Sequence, residues 1–264
     1  MPAPIMTALA RVVSSLIVSI LTALSIVHLP RPRAYPGKRE GSVLGWSWDA
    51  AGNGEGARHV DDLLMSEWSD ACALFEAALS SPDPDAYFDV RSRWLRVEQT
   101  VRTVLGEAGS LSLVGDESSY GRALAAGEPQ LPVQLLERLA ADPALLVRIG
   151  VSRNPRTPAG ALATLYREGS WHVRVELADN PSCPAWMVSF LAADRSAPVR
   201  AATSQRAQLP GSILARLATD GDWRVRLAIA ANKSTSALRL KELAGDHDTR
   251  VATTARRALG MALA

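Results

Sequence analysis

The sequence predicts an all-α protein. Three observations carry that expectation. From Pro132 onward the chain resembles itself every 26 residues, through five units. Each unit holds two short apolar-patterned stretches separated by turn residues. Ahead of the array, residues 58–106 carry two apolar stripes at helical spacing. A fixed period in this range signals a stacked solenoid, in which one unit buries its apolar face against the next. The expected architecture is an α-solenoid of five two-helix repeats preceded by a helical hairpin.

The array is defined position by position. Pro132, Pro158, Pro184, Pro210 and Ser236 open the units. Leu139, Leu165, Leu191, Leu217 and Leu243 fall seven residues in, and Val147, Val173, Val199, Val225 and Val251 fifteen in. Arg148, Arg174, Arg200 and Arg226 follow the first four valines, and Ala252 follows the fifth. Asp142, Glu168, Asp194, Asp220 and Asp246 stand five before the valines. Thr157–Pro158 reads as an N-cap followed by proline in the first turn, where its missing N–H has no partner to lose. Ser170, Ser196, Asp222 and Asp248 share one position and read as caps of the second helix. Asn154–Pro155 and Asn180–Pro181 read as the closing turns.

One pattern competes. Val173, Val175 and Leu177 alternate, as do Val225, Leu227 and Ile229, and period two is the strand signal. The matching "VRAATSQRA" and "VATTARRAL" are alanine-rich and poor as strands. Helix is therefore the first expectation and a β/α solenoid the second.

Upstream, "VVSSLIVSILTALSIVHL" at residues 12–29 contains no Asp, Glu, Lys or Arg. Within residues 1–29 it admits three readings: an N-terminal membrane anchor, a signal peptide, or translation from a mis-assigned start. Arg31, Arg33, Lys38 and Arg39 follow it and Arg11 alone precedes it, so an anchor would leave the repeats cytoplasmic. Residues 30–57, rich in Pro, Gly and charge, read as a flexible linker. Gly52, Gly54 and Gly56 lack the flanking strand and helix of a phosphate loop. Residues 58–106 form the hairpin: Val60, Leu64, Trp68, Cys72 or Leu74, Phe75 and Leu79 on one helix, Tyr87, Val90, Trp94, Val97, Val101 and Val104 on the other. "SSPDPD" at Ser80–Asp85 breaks the two apart.

The period and motifs resemble the leucine-rich repeat variant family. "NPRTP" at Asn154–Pro158, "NPSCP" at Asn180–Pro184 and the Asp220–Arg226 core carry the resemblance over residues 132–261. "GRALAAGEPQLP" makes residues 107–131 a degenerate half-repeat. The resemblance implies short paired helices in a right-handed superhelix. The third unit departs from it, with "QRAQLP" in place of the Asn-Pro turn. Some members hold an iron–sulfur centre on an N-terminal cysteine cluster. With two cysteines, Cys72 and Cys183, that cofactor is not carried over, and no cofactor or metal is expected.

Four scattered histidines and the absence of a phosphate-loop, zincin or nucleophile-elbow motif argue against an enzyme. A solenoid presents an extended surface, so the expected function is a non-catalytic scaffold for a protein or peptide partner. Residues 1–130 hold 11 basic and 16 acidic side chains, and residues 131–264 hold 18 and 11. That basic half makes nucleic-acid binding through a concave face the alternative, as in helical-repeat DNA-repair glycosylases. A membrane is a further possible partner through residues 12–29. Trp171 and Trp223 share a position where other units place Leu145, Ala197 and Thr249. With Arg224 and Arg226 they are the candidate partner-binding residues. The competing expectation for the arginine row is a half-exposed ladder with the acidic row, each pair contributing about 0.2–1 kcal/mol. For the tryptophans it is a cover over the seam between units.

Overall fold

The structure is a computed structural model that describes residues 55–81 and 83–261, with side chains from Glu67 onward. The apolar segment 12–29 and all but the last three residues of the expected linker lie outside the described residues. Those described fold into thirteen α-helices and one 3-10 turn, with no strand among them. The β/α alternative is therefore overturned. The chain divides into two compact units, at Ala125–Ala126. No described helix is long and apolar enough to cross a membrane.

In the first unit, α1 (Glu55–Ser80) packs against α2 (Pro84–Ser112). The turn between them closes as "SSPDPD" foretells. The Asp83 carboxylate accepts the Asp85 N–H at 3.0 Å, and Pro84 opens the helix. The apolar stripes meet as an aromatic core. Trp68 and Phe75 each lie 5.0 Å from Trp94 between ring centroids, and Phe75 lies 5.6 Å from Tyr87. Glu98 rather than Val97 fills the next buried place, ion-paired with Arg102 at 3.2 Å. At Gly106 the backbone takes φ 68°, ψ 173°, and the regular course of α2 is interrupted. A left-handed φ strains any residue with a Cβ, so glycine marks this break. The valine stripe stops at Val104 for that reason. The chain continues through the 3-10 turn Leu113–Gly115 into α3 (Ser119–Ala126). Arg122 on α3 stands 26 residues before Arg148. It donates to the carbonyls of Asp116 and Glu117, each at 2.9 Å.

The second unit is five pairs of short helices: α4 (Val133–Leu139) with α5 (Leu145–Arg153), α6 (Ala159–Tyr166) with α7 (Trp171–Asp179), and α8 (Ala185–Leu191) with α9 (Ala197–Ser204). Then come α10 (Gly211–Leu217) with α11 (Trp223–Ala231), and α12 (Ala237–Leu243) with α13 (Thr249–Ala258). The second helices α5, α7, α9, α11 and α13 pack on one another in succession. This explains the misleading alternation. Every residue of α7 from His172 to Ala178 is buried, so apolar residues occur on all its faces. The recurrent leucines and valines form the core, with Leu165, Leu191, Leu217, Val173, Val199 and Val225 at or near zero exposure.

Three expected caps change. Thr157 is not the N-cap. Pro158 occupies that place, and the Thr157 hydroxyl donates back to the Val151 carbonyl at 2.6 Å, as Thr235 does to Ile229 at 2.7 Å. The threonine thus closes the preceding turn. Asp222 and Asp248 cap α11 and α13 through their carboxylates, whereas Ser170 and Ser196 hold the position without a side-chain cap.

The Asn-Pro turns latch each unit to the one before. Asn154 Nδ2 donates to the carbonyls of Ala126 and Glu128, each at 2.8 Å. Asn180 does so to Ser152 and Asn154 at 2.6 and 3.0 Å, and Asn232 to Ser204 and Arg206 at 2.7 and 2.8 Å. Each Asn Oδ1 meanwhile accepts the N–H two residues on. The departure in the third unit keeps the latch. Arg206 stands at the asparagine position, and its guanidinium reaches the carbonyls of Ala178 and Asn180 at 2.6 and 3.0 Å.

Leu217 is buried in α10. Leu217→Ala is expected to destabilise the chain by about 2–5 kcal/mol in urea unfolding, the cost of an unfilled cavity in a packed core. A loss under about 1 kcal/mol would place Leu217 outside the core.

Candidate functional site

The arginine row reaches across units. Arg226 Nε and Nη2 meet Asp246 Oδ2 and Oδ1 at 2.7 and 2.9 Å, a two-pronged pair with the next unit's acid. Arg226 Nη1 turns back to the carbonyls of Asp220 and Gly221 at 2.8 and 3.2 Å. The same fork recurs. Arg174 holds Asp194 at 2.6 and 3.0 Å, and Arg200 holds Asp220 at 2.7 and 2.8 Å. Arg148 Nε holds Glu168 at 2.8 Å, with a second contact from Nη2. Each of these Nη1 atoms donates to the two carbonyls six and five residues back. A planar guanidinium can serve both sides at once, which an ammonium cannot.

The expected ladder is therefore present, but its expected exposure is not. The Arg226 and Asp246 side chains are 6% and 7% exposed, and Arg174 and Asp194 are 6% and 5%. These two pairs are shielded from water and do not fall in the weak surface class, whereas Arg148–Glu168 and Arg200–Asp220 lie shallower, at 20% and 18% and at 20% and 10% exposed. Arg226 is correspondingly removed from the candidate surface, because its guanidinium is buried and bonded within the chain.

The acids are charged partners. The hydrogen bond from Arg226 holds the Asp246 carboxyl below its ordinary value, against the upward push of burial. For Asp220 burial pushes upward most strongly, yet the bonds from Arg200 and the Asp222 N–H, with the nearby arginine charges, bring the carboxyl down. Asp248, at the head of α13, is held down to about 2, chiefly by its hydrogen bond from Arg250.

Trp171, Trp223 and Arg224 are partly exposed at the starts of α7 and α11. Two guanidinium groups lie against the Trp223 ring. Arg250 of the following unit sits 3.4 Å from its ring centroid and Arg224 sits 4.7 Å from it. The ring thus contacts an arginine of the following repeat and stays partly exposed. Trp171 stacks on His172 with centroids 3.8 Å apart. Burial pushes the His172 pKa down to about 4, partly opposed by Glu176, so this imidazole is neutral near pH 7 and adds no basic charge.

A second aromatic group lies on the first helices. Trp186 and Phe190 on α8 are 49% and 56% exposed, with centroids 6.1 Å apart, and Tyr166 at the end of α6 lies 6.2 Å from Phe190. The signal was available in register. The other units place Gln134, Gly160, Ser212 and Leu238 at the Trp186 position, and Arg138, Thr164, Arg216 and Glu242 at the Phe190 position. Tyr166 stands where the other four units have alanine.

Both cysteines are buried thiols, with Cys72 and Cys183 pushed upward first by burial. Among the described residues no group of three or more His, Cys, Asp and Glu side chains is placed to hold a metal ion. No family model matches the chain, and no curated protein matches its sequence.

Arg226→Ala would leave Asp246 buried without its cation. The expected loss is about 3–5 kcal/mol, comparable to Leu217→Ala, with a smaller combined loss when Asp246 is also removed. Urea unfolding of the three variants measures it, and a loss below about 1 kcal/mol for Arg226→Ala would show a solvated pair.

Asp220 and Asp246 have lower pKa values folded than the ordinary 3.8. The unfolded chain therefore binds more protons, and the stability these acids contribute is full above that value and lost as pH falls through the folded values. The melting midpoint should decline on acidification below about pH 4. Asp246→Asn should make that acid limb shallower, and an unchanged limb would remove the fork from the acid response.

Proposed function

We propose that the second unit is a right-handed α-solenoid of five two-helix repeats, of the leucine-rich repeat variant kind, and that the chain is a non-catalytic scaffold for a protein or peptide partner. The fork carries this reading. One arginine joins each of the four junctions, with the same prongs and the same two carbonyls every time. A repeated junction supports a one-dimensional stack, and a stack offers an extended surface rather than a closed cleft.

The same observation weighs against the nucleic-acid alternative. The arginine row that suggested a basic stripe is turned into the junctions and neutralised by the acidic row, so the motive for a phosphate track along it falls away. Trp171, Trp223 and Arg224 stay at the surface as anchors for a partner, since aromatic and arginine side chains dominate interface energetics. The proposed compartment of the repeats is the cytoplasm.

Affinity capture from a lysate with the full chain, with and without nuclease, tests the reading. The expected result is a partner retained after nuclease and lost with Trp223→Ala, while the melting midpoint of that variant stays close to the parent. Capture that disappears with nuclease would turn the reading to nucleic acid. A midpoint that collapses would assign Trp223 to packing alone.

A further inference from the structure

We propose that the outer face of the first helices α6, α8 and α10 is a docking surface for an anionic membrane. Trp186, Phe190 and Tyr166 form one contiguous aromatic cluster on that face, and two of the three are about half exposed or more. Leu238, 68% exposed, occupies the Trp186 position two units on. Scattered exposed apolar residues are ordinary, but three touching aromatic rings are a patch.

The exposed charges on α6, α8 and α10 and in the loops that follow α6 and α8 include three unpaired arginines. Arg167 follows Tyr166 directly, Arg195 lies in the loop after α8, and Arg216 stands on α10 at the place Phe190 holds on α8. All three are exposed, and none is ion-paired among the described residues. Helices α6, α8 and α10 contain no Asp or Glu. The loop acids beside them, Glu168, Asp194 and Asp220, are each held by a fork arginine. The positive charge on these three helices and their loops thus has no unpaired acid among them to offset it, the nearest exposed acids of the first helices being Glu137 on α4 and Glu242 on α12, the latter paired with Arg239, and this charge complements an anionic occupant.

A membrane fits better than an acidic polypeptide for two reasons. The aromatics stand outward on helix surfaces, as interfacial Trp, Tyr and Phe do at the headgroup level, with arginines flanking them to meet anionic lipid. In addition, the sequence carries the uncharged apolar run at 12–29 followed by Arg31, Arg33, Lys38 and Arg39. Basic residues behind an apolar segment mark the cytoplasmic, anionic side of a bilayer. The patch residues lie on the first helices and Trp171 and Trp223 at the starts of the second, so separate variants test the two readings.

Co-flotation of the full chain with liposomes tests it, using pure phosphatidylcholine and a phosphatidylserine–phosphatidylcholine mixture. Residues 12–29 bring the same apolar affinity to every variant, so the differences between variants are the readout. Trp186→Ser with Phe190→Ser is expected to weaken binding to the anionic vesicles at least about tenfold. Arg167→Glu with Arg216→Glu is expected to weaken it by roughly fivefold or more per site, and to reduce the preference over neutral vesicles that Arg31, Arg33, Lys38 and Arg39 leave in every variant. These positions are exposed, and an unchanged melting midpoint checks that each variant is folded. In the otherwise native chain, a polarity-sensitive fluorophore on Ser189→Cys, between the two exposed rings, should shift to the blue on anionic vesicles only. Parental binding by both variants with an unshifted probe would overturn the proposal. So would vesicle binding unaffected by variants that lose binding to polyglutamate, which would assign the face to an acidic polypeptide.

Discussion

The forked arginine is the constraint on which the second unit depends. Its helices run seven to ten residues. Helices this short are unstable alone in water, because nucleation costs more than so few hydrogen bonds return. Each must be held by its neighbours. Val225 and its equivalents supply the burial, which is non-directional and would tolerate sliding. The guanidinium supplies direction, since its prongs fit one carboxylate while its remaining nitrogen fits the two carbonyls of its own loop. A unit displaced along the stack would leave a buried arginine and a buried acid unpaired, and that cost exceeds what sliding could recover.

The forks work with the asparagine latches from opposite ends. The arginine lies near the start of each second helix and reaches forward. The asparagine lies at its C-terminal cap and reaches back. Each of these contacts satisfies groups that a short buried helix end would otherwise leave unpaired. Arg206 shows that the requirement is for two N–H donors aimed at two carbonyls, not for asparagine itself. The fifth unit keeps neither device on its second helix. Ala252 replaces the fork arginine and Ala258 replaces the asparagine. Its seam with the preceding repeat is held by the Arg226–Asp246 fork.

This division separates the chain's charges by role. The regular arginines are structural, and they explain why a regular basic row is no guide to a ligand. The irregular residues carry the surface. Trp223 lies partly between, since its ring contacts an arginine of the following repeat and stays partly exposed. Trp186, Phe190 and Tyr166 break the pattern of their rows and close no seam of the fork or latch kind.

The sequence by itself determined the 26-residue period and the position of each core leucine and valine, and favoured the helical class, because these follow from local spacing repeated five times. It also determined that an acid accompanies each arginine. It left open whether α7 was strand or helix, because a helix buried on every side loses the polar face that reveals its period. It could not decide how deep the arginine pairs lie, and so misjudged Arg226. Depth depends on how neighbouring units pack around the fork, which no single unit shows. Nor could it tell that Trp186 and Phe190 point away from Met187, Val188 and Leu191 on the same helix. Only the packed array fixes which face of "AWMVSFL" is covered, and with it which aromatic side chains remain for a partner.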